Sequence, residues 1–97
     1  MDKLEKIKYS LKEHKNEIRE KFNVREIGIF GSYIRHDYKK NSDLDILVEF
    51  DVVPGLFAFI RLKEYLSQLT GVKVDLVMKR VLKPYIGKNI LREVMYL

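Results

Sequence analysis

Three aspartates and a glycine turn are the residues of this chain whose types and spacing could do chemistry. Gly31-Ser32-Tyr33-Ile34-Arg35 reads as a phosphate-binding turn, and Ser42-Asp43-Leu44-Asp45 follows with carboxylates at alternate positions. Side chains alternate along an extended strand, so Asp43 and Asp45 share one face at a separation suited to bridging cations. Asp75 is isolated within the apolar run Val72-Lys73-Val74-Asp75-Leu76-Val77-Met78, where an acid has no obvious structural task. If its strand lies beside the first, the three carboxylates converge and repel one another unless cations compensate them. The chemistry indicated is metal-dependent and directed at a nucleotide.

Each of these residues also has a plain structural use. Asp43 suits a turn, Asp45 suits an exposed strand face, and a strand-ending glycine is often only a turn. Their placement together favours phosphate. Gly31 has no Cβ and lets backbone N–H groups approach a phosphate, while the Ser32 hydroxyl and the positive end of a following helix add donors. Arg35, one turn further on, could clamp phosphate oxygens, and Ser42 could add a hydroxyl beside the metals.

These residues need strands and helices to position them. Leu4, Ile7, Leu11, Ile18 and Phe22 recur at helical spacing, predicting one long amphipathic helix from Leu4 to Phe22 with His14 at the edge of its apolar stripe. No second ligand accompanies His14, so it reads as a core-edge histidine. Glu26–Phe30 is a short strand ending at Gly31, and Ser32 suits the start of a helical turn. After the polar loop 36–41, Asp43–Phe50 resumes strand character, with Leu44, Ile46, Val48 and Phe50 on one face and the two acids on the other. Pro54-Gly55 breaks the chain. Leu56–Leu69 is a second core helix closing near Gly71, Val72–Met78 is a strand, and Pro84–Tyr96 is a last helix packing back on the sheet. Helices and strands in this order predict a single α/β (α+β) domain over residues 1–97, a mixed β-sheet flanked by helices.

Composition limits the partners and the metal. The chain has no cysteine, so a metal must take oxygen or imidazole ligands, which favours hard cations such as magnesium. The net charge is +5, but basic residues interleave with Glu, as in Lys12-Glu13-His14-Lys15-Asn16-Glu17. That pattern marks a solvated helix face rather than a nucleic-acid footprint. No apolar run approaches the roughly 20 residues that span a bilayer, and the charged N-terminus does not resemble a signal peptide. A soluble, cytoplasmic protein is expected.

Taken together, Gly31-Ser32, Arg35, Ser42-Asp43-Leu44-Asp45 and the later strand acid Asp75 resemble the DNA polymerase β nucleotidyltransferase superfamily. The short length resembles its minimal, MNT-type members, which are paired with HEPN toxins. The resemblance covers nearly the whole chain from Ile27 onward, and implies the polymerase-β-like fold. It also implies that Gly31 and Ser32 contact nucleotide phosphates, that Asp43 and Asp45 hold two magnesium ions, and that Asp75 is the third carboxylate. The residue after Arg35, often glycine in relatives, is His36 here.

The expected activity is magnesium-dependent transfer of AMP from ATP to a hydroxyl, with pyrophosphate leaving. One metal held by all three acids would activate the acceptor and a second, on Asp43 and Asp45, would neutralise the leaving group. Asp75 is also a candidate general base. The MNT resemblance points to a tyrosine of a partner HEPN-type toxin as acceptor, making this chain a type VII antitoxin, and implies a hetero-oligomer with its toxin. The rivals are a non-catalytic antitoxin that binds and covers its partner, and a nucleotidyltransferase acting on RNA or a small molecule.

Overall fold

Apolar residues at alternate positions of two neighbouring strands build the centre of the sheet in the computed structural model, which describes residues 1–97. Strand β1 (Val24–Phe30) pairs antiparallel with β2 (Leu44–Phe50), and β2 pairs in parallel with β3 (Val74–Met78). A two-residue strand, β4 (Met95–Tyr96), adds antiparallel to the free edge of β1. The sheet order is therefore β3-β2-β1-β4, mixed as expected.

One face of this sheet carries the core. Ile27 and Ile29 of β1, Leu44, Ile46 and Val48 of β2, and Val74 and Leu76 of β3 are buried against helical residues. The helices contributing are α1 (Lys3–Glu13), α2 (Lys15–Phe22) and α4 (Leu56–Thr70), through Leu4, Ile7, Leu11, Ile18, Leu62 and Leu66. Period-two alternation then forces Asp45 and Asp75 to the other face. The parallel β2–β3 pair requires a crossover, which α4 supplies between a break at Pro54-Gly55 and a left-handed cap at Gly71, φ +76°.

Two expectations are corrected. The single helix expected from Leu4 to Phe22 is divided at His14, whose Nδ1 lies 2.8 Å from the Ser10 carbonyl oxygen. With a carbonyl as partner, Nδ1–H donates, so the imidazole shares the oxygen to which the His14 backbone N–H also donates, at a longer 3.3 Å. The helix expected to run from Pro84 to Tyr96 ends at Glu93 as α5 (Pro84–Glu93), and the next residues form β4. Pairing with β1 wins because Gly28 leaves room for it: a Cβ there would stand 2.6 Å from Val94 Cγ2 and 3.0 Å from the Met95 carbonyl oxygen. The Leu97 N–H then donates to the Ile27 carbonyl oxygen at 3.0 Å.

Gly28→Ala is expected to lower stability by about 1–3 kcal/mol in urea unfolding, the usual cost of overpacking, and to speed amide exchange at Leu97. An unchanged midpoint together with unchanged exchange would show that β4 does not depend on this close approach.

Candidate active site

The site forms where β1 and β2 reach the same end of the sheet. Asp45 sits in the ladder between Phe30 of β1 and Asp75 of β3. Asp43 lies one position before β2 begins, so the expected strand from Asp43 is one residue shorter, and the Leu44 N–H is held by the Lys73 carbonyl oxygen at 2.8 Å. The end of the parallel pair is thus pinned, with Asp75 exposed and Asp43 and Asp45 half-buried.

Gly31 is the point on which Asp45 rests. Its φ of +78° and ψ of −153° lie in a region that only glycine adopts readily, and a Cβ there would collide with the Asp45 carboxylate. The turn continues into α3 (Ser32–Arg35), a single helical turn whose N-cap is Gly31 rather than Ser32. So short a helix contributes little dipole, and the donors near Gly31 matter more than the field of α3. At its other end His36 caps α3 in the left-handed conformation, φ +62°, where glycine is the commoner choice.

Asp45 is the perturbed member of the set. Burial pushes the Asp45 carboxyl up to about 6, with further contributions from the charge of Asp75, a hydrogen bond with Asp75 and the charge of Asp43, opposed by Arg35. No group of three His, Asp or Glu side chains is drawn closely enough together to enclose an ion. The expected convergence of all three acids is therefore partial: Asp45 and Asp75 are ladder neighbours, whereas Asp43 lies before β2 begins. The donor set nonetheless fits a hard divalent cation, because it is all carboxylate oxygen and because a cation would relieve the repulsion that raises Asp45.

The remaining sequence candidates fall nearby with other partners. The Ser42 hydroxyl oxygen accepts the Lys39 N–H at 2.7 Å, closing the loop before β2. That loop is further held by stacking of Tyr38 on Tyr33, with ring centroids 4.2 Å apart. Arg35 donates to Glu93 Oε1 at 2.8 Å, and Glu93 Oε2 accepts the Gly31 N–H at 2.8 Å. Glu93 was not anticipated from the sequence; the available signal was Gly28, whose presence inside a strand marks close backbone approach. Phe30, Gly31, Arg35, Asp45 and Glu93 line a cavity of about 370 Å³ bordered by Tyr85, Ile86, Asn89 and Ile90 of α5. A pocket of about 420 Å³ around Phe22, Phe50 and Tyr65 lies at the opposite strand ends and contains none of the aspartates discussed.

Residues 11–97 match the nucleotidyltransferase domain family. The chain is 57% identical over 93 residues to the protein adenylyltransferase MntA of Thermococcus cleftensis, covering 96% of this chain and 94% of that protein. It belongs to the nucleotidyltransferase family and is a nucleotidyltransferase, of the minimal kind that the MNT resemblance indicated. A solved structure assigned as a minimal nucleotidyltransferase superposes with a TM-score of 0.82 at 35% identity, covering 100% of this chain and 97% of that one. A chain from the complex of tri-AMPylated Shewanella oneidensis HEPN toxin with MNT antitoxin shares the fold, with a TM-score of 0.68 at 20% identity over 93% of this chain and 70% of that one.

Two outcomes test this geometry. An Asp whose folded pKa is about 6 rather than 3.8 binds its proton more tightly when folded, so the metal-free protein loses stability as pH rises through that window. Metal-free Asp45→Asn is therefore expected to melt above the unsubstituted chain at pH 7.5 by roughly 4–8 °C, corresponding to about 1 kcal/mol after solvent screening. The gap should close toward pH 4, and a gap independent of pH would contradict the assignment. Gly31→Ala should remove nucleotidyl transfer by displacing the Asp45 carboxylate, with a loss of about 100-fold or more in kcat.

Proposed function

We propose that this chain transfers AMP from ATP to a tyrosine hydroxyl of a HEPN-type toxin, in the cytoplasm and with magnesium, and so acts as its antitoxin. The seating of Asp45 on Gly31 and beside Asp75 is the observation that carries the reading, since it joins a phosphate-approach turn to mutually repelling carboxylates. The protein and the acceptor are suggested by the relatives: one is named a protein adenylyltransferase, and a structural neighbour at 20% identity belongs to a complex whose toxin is tri-AMPylated. The whole chain, residues 1–97, would act as one catalytic domain.

Asp43, Asp45 and Asp75 are assigned as the ligands of two magnesium ions. When bound, magnesium supplies Lewis-acid stabilisation of the triphosphate charge and lowers the pKa of the acceptor hydroxyl. Gly31 shapes the turn, its own N–H being held by Glu93, while the Ser32 N–H and hydroxyl orient the phosphates and Arg35 adds a cation at the cavity wall. Ser42 is assigned to the edge of the nucleotide site through its hydroxyl proton, since its oxygen already accepts the Lys39 N–H. Asp75 is exposed and can meet a side chain presented by another protein, which suits a general base for a macromolecular acceptor. In the transfer, the acceptor oxygen bonds to the α-phosphorus, the bond to the bridging oxygen breaks, and pyrophosphate leaves. The hydroxyl proton passes to Asp75.

Incubating the purified chain with labelled ATP, magnesium and its HEPN-type partner should label the partner on tyrosine. Asp45→Asn should reduce the rate by at least about 1000-fold. Labelling of RNA or a small molecule instead would redirect the acceptor assignment. Full protection of cells by Asp43→Asn and Asp75→Asn variants that still bind the toxin would instead establish a non-catalytic antitoxin.

A further inference from the structure

Glu93 touches both halves of the phosphate turn through its separate carboxylate oxygens. Oε2 accepts the Gly31 N–H at 2.8 Å and Oε1 accepts Arg35 Nη1–H at 2.8 Å. Its position follows from the sheet: β4 pairs Tyr96 with Gly28 and Met95 with Ile29, and continuing that antiparallel register sets Glu93 opposite Gly31. The Glu93 side chain is 22% exposed, whereas Arg35 is 54% exposed and would otherwise be free to sample many rotamers. Asp37 reaches Arg35 only at its Nε, at 3.5 Å, and is itself 62% exposed.

A guanidinium carries five N–H donors in a rigid fork, so a carboxylate engaging Nη1 fixes the plane and leaves the Nη2 donors unclaimed. The same carboxylate satisfies a buried backbone donor at a turn whose conformation only glycine readily adopts. Glu93 also lines the cavity that holds Gly31, Arg35 and Asp45. Its negative charge is matched by Arg35 and so adds little repulsion toward an incoming triphosphate.

We propose that Glu93 is a positioning residue for phosphate recognition, aiming Arg35 and holding the Gly31 turn without contacting the nucleotide. This rests on the nucleotide-binding reading above. Gln at this position keeps an acceptor for the Gly31 N–H and loses the charge that orders Arg35, which separates the two contacts.

The test is magnesium–ATP binding to the full chain by calorimetry, with tripolyphosphate as a second probe and a cooperative thermal melt required of each variant. Glu93→Gln should weaken both ligands about tenfold, and Arg35→Ala should weaken them at least as much. Added to Arg35→Ala, Glu93→Gln should cost no more than about a further twofold, because it acts through the guanidinium. Unchanged affinity, or equal losses in both backgrounds, would overturn the proposal. Tighter binding by Glu93→Gln would do so too, since Glu93 would then be a competitor for the phosphate donors. If Glu93→Gln does not fold, Glu93→Asp replaces it, with the same expected loss because the shorter chain cannot reach both partners. Absence of binding by the unsubstituted chain is a different failure, that of the nucleotide reading, and the inference falls with it.

Discussion

Like charges held side by side by backbone pairing are the constraint on which the candidate site depends. Asp45 and Asp75 are ladder partners in a parallel pair, so their backbones cannot separate without breaking strand register. Asp45 has Gly31 beneath it and burial around it, and its proton affinity rises accordingly. The sheet therefore stores electrostatic repulsion at one end. Its apolar face opposes that repulsion, because Leu44, Ile46 and Val48 are fully buried and fix the strand that carries Asp45. A one-residue slip would turn these side chains out and the acid in.

The acids and the central strands were legible from the sequence because alternation is a local signal. Leu44, Ile46, Val48 and Phe50 recur at the strand period, and Asp45 falls between them. Asp75 was legible for a similar reason, as a charge interrupting an apolar run. The mixed sheet, the second core helix and its Gly71 cap were legible too, the helix from its own period, but not that this helix is the crossover of a parallel pair. None of these inferences needed knowledge of distant contacts.

What escaped was fixed by contacts between distant residues or by side-chain competition. The divided helix preserves its apolar stripe on both sides of His14, so periodicity carried no sign of the break; a side-chain contact to Ser10 accompanies it. The β4 strand has only two residues and no period to read. Glu93 near the end of an amphipathic helix looks like a solvated charge, and only the pairing of β4 with β1 brings it to Gly31. Arg35 was recognised by type, but the partner that orders it lies 58 positions away.

The α4 crossover carries a consequence for when the site comes into being. Gly31 directly follows β1 and Asp45 lies in its neighbour β2, with only α3 and a loop between them, whereas Asp75 joins them only after fifteen residues of α4 have packed across the sheet. Closing that longer connection costs more chain entropy than pairing β1 with β2. The Gly31 turn and the first acids can therefore assemble before the last carboxylate arrives. An incompletely folded chain would lack the Asp45–Asp75 neighbourhood, so the proposed chemistry would depend on completion of the parallel pair.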